Sequence, residues 1–203
     1  MVSFLITFNI FLAMSNKINP KDIINKQKEK YKDSNWSEFL LEEFDKDHFE
    51  RLLEYLISNT EKGVKFHPPI KNWFDNLINL SLDDINVVII NNEAALTLGN
   101  NFKTFEELAQ QGVLFYPLAK TDDHQNNWYH FNLNFIEHLK KNKPGLTYIF
   151  IGDDAIDFTS MLSDQNFKIF MPELTNELWD KETVKKLFNT NVNNLTKKVI
   201  EWF

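Results

Sequence analysis

Acidic residues follow the short apolar runs of this sequence and are its best candidates for chemistry. Six carboxylates and one histidine stand just after such runs: Glu93, Asp122, Asp123, Asp153, Asp154, Glu173 and His124. Carboxylates that meet at one point could hold Mg²⁺ together with water and a phosphate ligand. Alternatively, they cap the helices that follow, because Asp is favoured at helix N-termini, and Asp153 and Asp154 fit this second interpretation. The sequence leaves both interpretations open.

Other kinds of catalytic centre find little support. His130 and His138 are too far apart on one predicted helix to form the i, i+4 pair of a zinc-binding helix, and we interpret them as surface or core residues. The absence of cysteine excludes thiolate zinc sites, cysteine nucleophiles and disulfides. No GxSxG, GxGxxG or GxxxxGK[ST] motif occurs. We therefore expect neither a bound cofactor nor a resident metal.

Length and composition indicate a single globular domain. The chain has 203 residues, 43% of them hydrophobic and 25% charged, which is enough to bury a core. Its formal net charge is −7. An acidic chain argues against a nucleic-acid partner, because counterion release requires a basic surface.

Four short apolar runs predict buried strands at residues 86–90, 112–116, 146–151 and 167–171. Continuous apolar runs are typical of strands that are covered on both faces. Helical patterns at residues 104–110, 128–141 and 154–162 separate them. This alternation predicts an α/β fold: a three-layer αβα domain with a four-stranded, mostly parallel sheet. Ligands bind such sheets beyond the carboxyl ends of the strands.

Helical patterns also precede and follow the predicted sheet. Apolar spacing between residues 36 and 56 predicts two helices, the second with a capping box of Asp47 and Glu50. Residues 70–80 form a further amphipathic pattern, and residues 180–188 and 192–202 predict two C-terminal helices.

The N-terminus begins with an apolar run at residues 2–14. The run is shorter than the roughly 20 residues of a membrane-spanning helix, and no Lys or Arg precedes it as in a secretory signal. We interpret Met14 as the true start of a cytoplasmic protein; export or anchoring through residues 2–14, or a folded element, are the alternatives. Residues 16–32 are polar and predict a loose lead-in. The predicted division is therefore an N-terminal segment, 1–33, and a domain, 34–203.

The order of several segments resembles the uracil-DNA glycosylase family over roughly residues 36–202. The opening NWSEFLLEEF resembles the family's W..FL..EF helix, and GVKFHPPIKNWF resembles its G..I.PP...F segment. LDDINVVII comes next and resembles the strand before the family's water-activating loop, and ELAQQGVLFYPLAKT is similar to the W..QGVLLLN..LT stretch. IFIGDDA and the closing VIEW follow in the family's order. The resemblance implies the fold of that family and, as an activity, excision of uracil from DNA.

The motifs that carry the family's activity differ in this sequence. NNEAAL (residues 91–96) stands where the family has GQDPYH, which puts Glu93 at the position of the carboxylate that activates water. The other altered motif positions are Asn92, Ala95, Leu96, Pro117 and Glu173. By the resemblance, Ala95 replaces the tyrosine that excludes thymine, Pro117 the asparagine that reads the uracil edge, and Glu173 the catalytic histidine.

These replacements should impair uracil excision. The departing base becomes negatively charged, and an ionised Glu173 would repel that charge. The loss of a hydrogen-bond donor to the base alone typically lowers the rate by about 10²–10³-fold. Our first hypothesis is a glycosylase-like binding module without efficient catalysis, with a protein partner as one option. The resemblance implies DNA as a partner, although the acidic residues disfavour it. No membrane partner is expected unless the apolar run at residues 2–14 belongs to the protein. The alternatives are a weak or altered glycosylase of base-excision repair that uses Glu93, and a Mg²⁺-dependent phosphate-handling enzyme.

Overall fold

The sheet lies at the centre of the protein. The structure is a computed structural model that describes residues 18–66, 68–78, 80–92, 102–121, 125–162, 166–172, 179, 181–196 and 198–203, without the side chains of residues 125 and 126. Its strands are β1 (Val87–Asn91), β2 (Val113–Pro117), β3 (Thr147–Ile151) and β4 (Phe167–Met171). They are parallel and lie in the order β2-β1-β3-β4. The predicted α/β architecture is confirmed, and each strand lies within one residue of its predicted run.

Helices flank the sheet on both sides. The α-helices are α1 (Pro20–Tyr31), α2 (Ser37–Phe44), α3 (Asp47–Glu61), α4 (Asp75–Ile78), α5 (Phe105–Ala109), α6 (Tyr129–Asn142), α7 (Asp153–Ile156), α8 (Glu182–Lys186) and α9 (Asn193–Thr196). Short 3₁₀ helices span Ile70–Asn72, Leu82–Asp84, Gln125–Trp128 and Asp157–Met161, and a π-helical segment, Leu187–Val192, joins α8 to α9. No helix among the described residues is long and apolar enough to cross a membrane. Residues 1–17, on which the start-site and export predictions depend, lie outside the described part.

Each face of the sheet is covered by its own apolar cluster. One cluster joins alternate strand residues such as Ile90 and Tyr116 to the first four helices and α6. The other joins Val87 and Ile149 to α5 and to the C-terminal segment that includes Trp202. Both faces are therefore removed from water, which explains why the inner strands are apolar without alternation.

Helix α1 contradicts the prediction of a loose lead-in at residues 16–32. Pro20 occupies the first turn, and the Asn19 side chain accepts a hydrogen bond from the Lys21 amide (3.0 Å), so the helix start is well formed. Ile24 and Tyr31 lie on the buried face, and the Tyr31 ring contacts the ring of Phe74 edge-on at 5.9 Å. The many lysines of this stretch concealed a narrow apolar face.

Two helix-end predictions are also wrong. Asp47 does not cap α3, because it lies inside the first turn and Lys46 occupies the cap position without a side-chain bond. The pattern at residues 192–202 predicts one helix, but α9 ends at Thr196. There the Asn193 side chain binds the Ile200 backbone and the Trp202 indole (3.0–3.2 Å), which turns the chain back.

Removal of α1 is expected to lower stability, which also tests the predicted boundary before residue 34. A fragment of residues 34–203 lacks the buried Ile24 and Tyr31 side chains, and each such burial is worth about 1.5–3 kcal/mol. We expect its free energy of unfolding to be about 3–6 kcal/mol below that of a fragment of residues 18–203. Urea unfolding of the two fragments measures the difference; equal midpoints would show that α1 contributes nothing.

Candidate functional site

The carboxyl ends of the strands meet at one edge of the sheet. Asn91, the last residue of β1, is in register with Pro117 of β2 and with Ile151 of β3. The ladder continues beyond the strands, since the Leu118 amide donates to the Asn91 carbonyl (2.8 Å) and the Ala119 amide donates to the Asn92 carbonyl (3.1 Å). Asn91, Asn92 and the segment after β2 are therefore held together, as the topology predicted.

The predicted acidic residues can be located only in part. Asp153 and Asp154 are exposed in the first turn of α7, where carboxylates are favoured, and the Asn92 side chain donates to Asp154 Oδ2 at 3.3 Å. The other predicted site residues lie outside the described part of the chain: Glu93, Ala95, Leu96, Asp122, Asp123, His124 and Glu173. Whether the carboxylates converge thus stays a prediction. Among the described side chains, no group of three or more His, Asp or Glu could hold a metal ion.

The two histidines of α6, His130 and His138, differ in burial. His138 packs against the ring of Phe39 at 4.9 Å, and burial lowers the pKa of its imidazole. His130 is exposed, with its ring 5.7 Å from that of His48. His138 is half-buried and His130 is exposed, in agreement with their interpretation as surface or core residues.

A cavity of about 670 Å³ adjoins the ends of β1 and β2. It lies between the outer edge of β2, helix α5 and residues 68–76, and the Asn76 side chain closes part of that edge by donating to the Phe115 carbonyl (2.7 Å). Aromatic, amide and carboxylate side chains share its wall: Trp73, Phe105, Phe115, Asn72, Asn76, Asn91, Gln110, Asp75 and Glu106. Aromatic surface with a few convergent amides suits a small, mostly uncharged ligand.

Pro117 lines this cavity at the end of β2. A proline has no backbone N–H, and its ring neither donates nor accepts a hydrogen bond. The position can thus contribute shape and apolar contact, but no polar recognition through its side chain.

A buried polar cluster behind the end of β2 was not predicted from the sequence. Lys120 is 1% exposed, and its Nζ donates to the Pro117 carbonyl and to Asn132 Oδ1 (3.2 Å). Asn132 also accepts from the Tyr116 hydroxyl (2.8 Å). Burial lowers the pKa of the Lys120 amine well below its ordinary value. The signal in the sequence was Asn132, a polar residue on the apolar face of α6 beside Phe135 and Ile136.

Comparison with known proteins identifies the fold. No family model and no curated protein matches this sequence. Among solved structures, mimivirus uracil-DNA glycosylase is similar with a TM-score of 0.68 at 16% identity, over 92% of this chain and 90% of that chain. A variant of the mimivirus enzyme in complex with UGI has a TM-score of 0.64, also at 16% identity, over 92% of this chain and 91% of that one. The enzyme from Nitratifractor salsuginis has a TM-score of 0.57 at 12% identity, over 88% and 98%. The chain therefore has the fold of the uracil-DNA glycosylases, as the order of its sequence segments predicted.

Proposed function

We propose that this chain is a glycosylase-like protein that has lost efficient uracil excision and keeps the fold as a binding module. The observation that carries the proposal is Pro117. It lies on the cavity wall at the end of β2, where the resemblance expects an asparagine that reads the edge of uracil. The Pro117 carbonyl accepts from Lys120, so one of the two lone pairs of this oxygen is already occupied. Uracil would meet an apolar ring instead of an amide.

The charge at the site supports the same proposal. Asp153 and Asp154 are exposed beside the end of β1, and Glu106 lines the cavity. Like charges about 4 Å apart repel by roughly 1 kcal/mol in water and about 4 kcal/mol at intermediate dielectric. Among the described residues of the cavity wall, the lysine is Lys120, and its side chain is buried away from solvent. DNA phosphates would thus be repelled here, whereas a neutral ligand or a protein surface without net negative charge would not.

Uracil excision is the direct test. A single-stranded oligonucleotide with one uracil is incubated with the protein, and abasic sites are revealed by alkaline cleavage on a gel, with mimivirus uracil-DNA glycosylase in parallel. We expect a rate at least about 10²–10³-fold below that of the mimivirus enzyme, because one missing donor to the departing base costs that much.

The Glu93→Gln variant separates this proposal from its main alternative. Turnover less than about 10²-fold below that of the mimivirus enzyme, which disappears in Glu93→Gln but persists in Glu106→Gln, would overturn the proposal in favour of a glycosylase that uses Glu93. Glu106→Gln is the matched control, because it removes a carboxylate from the cavity wall without changing a motif position.

A further inference from the structure

The Lys120 amine is enclosed by the core behind the candidate site. Its Nζ lies 3.6 Å from the centre of the Tyr116 ring and within 6 Å of the rings of Trp128 (5.8 Å) and Phe131 (5.7 Å). Within the described part of the chain, it donates to the Pro117 carbonyl and to Asn132 Oδ1. No described carboxylate pairs with it. Oxygen acceptors and an aromatic ring face are the groups that attract a protonated amine, and both are in contact with Lys120 Nζ.

The hydrogen bonds of Lys120 and Asn132 hold the turn at the end of β2. We name residues 117–121 the β2 turn. Lys120 holds the Pro117 carbonyl, and Asn132, which Lys120 also binds, donates through Nδ2 to the Leu118 carbonyl (2.8 Å). Thr121 at the far end of the turn accepts from the Trp128 indole (3.1 Å). The β2 turn is thereby fixed to α6 and the segment before it.

The same turn is fixed to the end of β1 on its other side. The Leu118 and Ala119 amides donate to the Asn91 and Asn92 carbonyls. Asn91 and Pro117 both line the cavity. A displacement of the β2 turn would therefore move two parts of the cavity wall at once.

We propose that Lys120 is a positioning residue of the candidate site, whose amine fixes the β2 turn and thereby sets the places of Asn91 and Pro117 in the cavity wall. Methionine would fill nearly the same space without burying an amine, so space-filling does not account for the polar group. The inference concerns how the site is built. It therefore stands or falls independently of whether the protein excises uracil.

Hydrogen exchange in Lys120→Met tests the role directly. We expect the Leu118 and Ala119 amides to exchange at least about 10-fold faster than in wild type, because the turn opens locally. The amides of β3 should be unchanged, and the urea midpoint should be equal or higher, because replacing a buried charge by an apolar side chain is often neutral or stabilising. This combination separates positioning from core filling, which would lower the midpoint and accelerate exchange throughout the sheet.

Two further variants keep the test decisive. Lys140→Met is the matched control, because Lys140 also donates to a carbonyl, that of Met161 (3.0 Å), but is exposed on the same α6. It should leave Leu118 and Ala119 unchanged. Tyr116→Phe removes only the hydroxyl bond to Asn132 and should accelerate the same two amides by a smaller factor. Unchanged exchange at Leu118 and Ala119 in Lys120→Met, or in Tyr116→Phe if Lys120→Met does not fold, overturns the proposal.

Discussion

Gly112→Ala is expected to lower the free energy of unfolding by more than about 4 kcal/mol, a loss seen only when a specific structural feature is broken. Gly112 stands directly before β2 with φ +86°, and an added Cβ would lie 2.0 Å from Asn86 Nδ2 and 2.3 Å from the Asp84 carbonyl oxygen. The Asp84 oxygen belongs to the backbone and cannot rotate away. The neighbouring chain is also fixed, because the Asn86 and Val87 amides donate to the Gly112 carbonyl (2.8 and 3.2 Å).

Two other glycines separate the steric clash from the backbone conformation. Gly63 and Gly145 have nearly the same φ (+90° and +84°), but a Cβ on either would meet nothing within 4 Å. Alanine at these positions should lower the free energy of unfolding by only about 1–2 kcal/mol, the cost of placing a Cβ in the left-handed conformation. Urea unfolding of the three variants measures the difference. If Gly112→Ala lowers the free energy of unfolding no more than Gly63→Ala does, the backbone between Asp84 and Gly112 can shift to accept a Cβ at little cost.

The strands were predictable because their pattern is local. Residues such as Val88 and Ile89 face opposite sides of the sheet, yet both are buried, so an uninterrupted apolar run identifies the strand without knowledge of its neighbours. Parallel pairing then places the strand ends at one edge. Asn92 and Pro117 could therefore be assigned to the same edge from the sequence alone.

The features that were missed depend on contacts between distant residues. Helix α1 is stabilised by Tyr31 against Phe44 and Phe74, and nothing within residues 16–32 identifies those partners. The sequence does not distinguish Lys120 from a surface lysine, because its acceptor Asn132 lies next to it only after α6 has packed on the sheet. Tertiary contacts, and not local propensity, decided both cases.

The stability of the wild type should rise relative to Lys120→Met as the pH increases from 7 to 9.5. Burial lowers the pKa of the Lys120 amine, whereas in the unfolded chain the amine keeps its ordinary pKa near 10.5. Between the two values the unfolded chain binds more protons, so deprotonation favours the folded state and stability increases with pH. Each pH unit within this window should add about 1.4 kcal/mol to the difference between wild type and variant.

Comparison with the variant is needed because other groups titrate in the opposite sense. Lys46 has a raised pKa: burial lowers it, but its bonds to Glu43 and Glu42 outweigh burial, so its stabilisation is lost at high pH in both proteins. Tyr116, the titratable group in contact with the Lys120 amine, stays neutral in this range, because burial raises its pKa well above 10. Urea unfolding at pH 7, 8 and 9.5 gives the difference directly. A difference that does not change with pH would mean that the two oxygens and the Tyr116 ring compensate the amine for its lost hydration, and that Lys120 holds the β2 turn as a permanent cation.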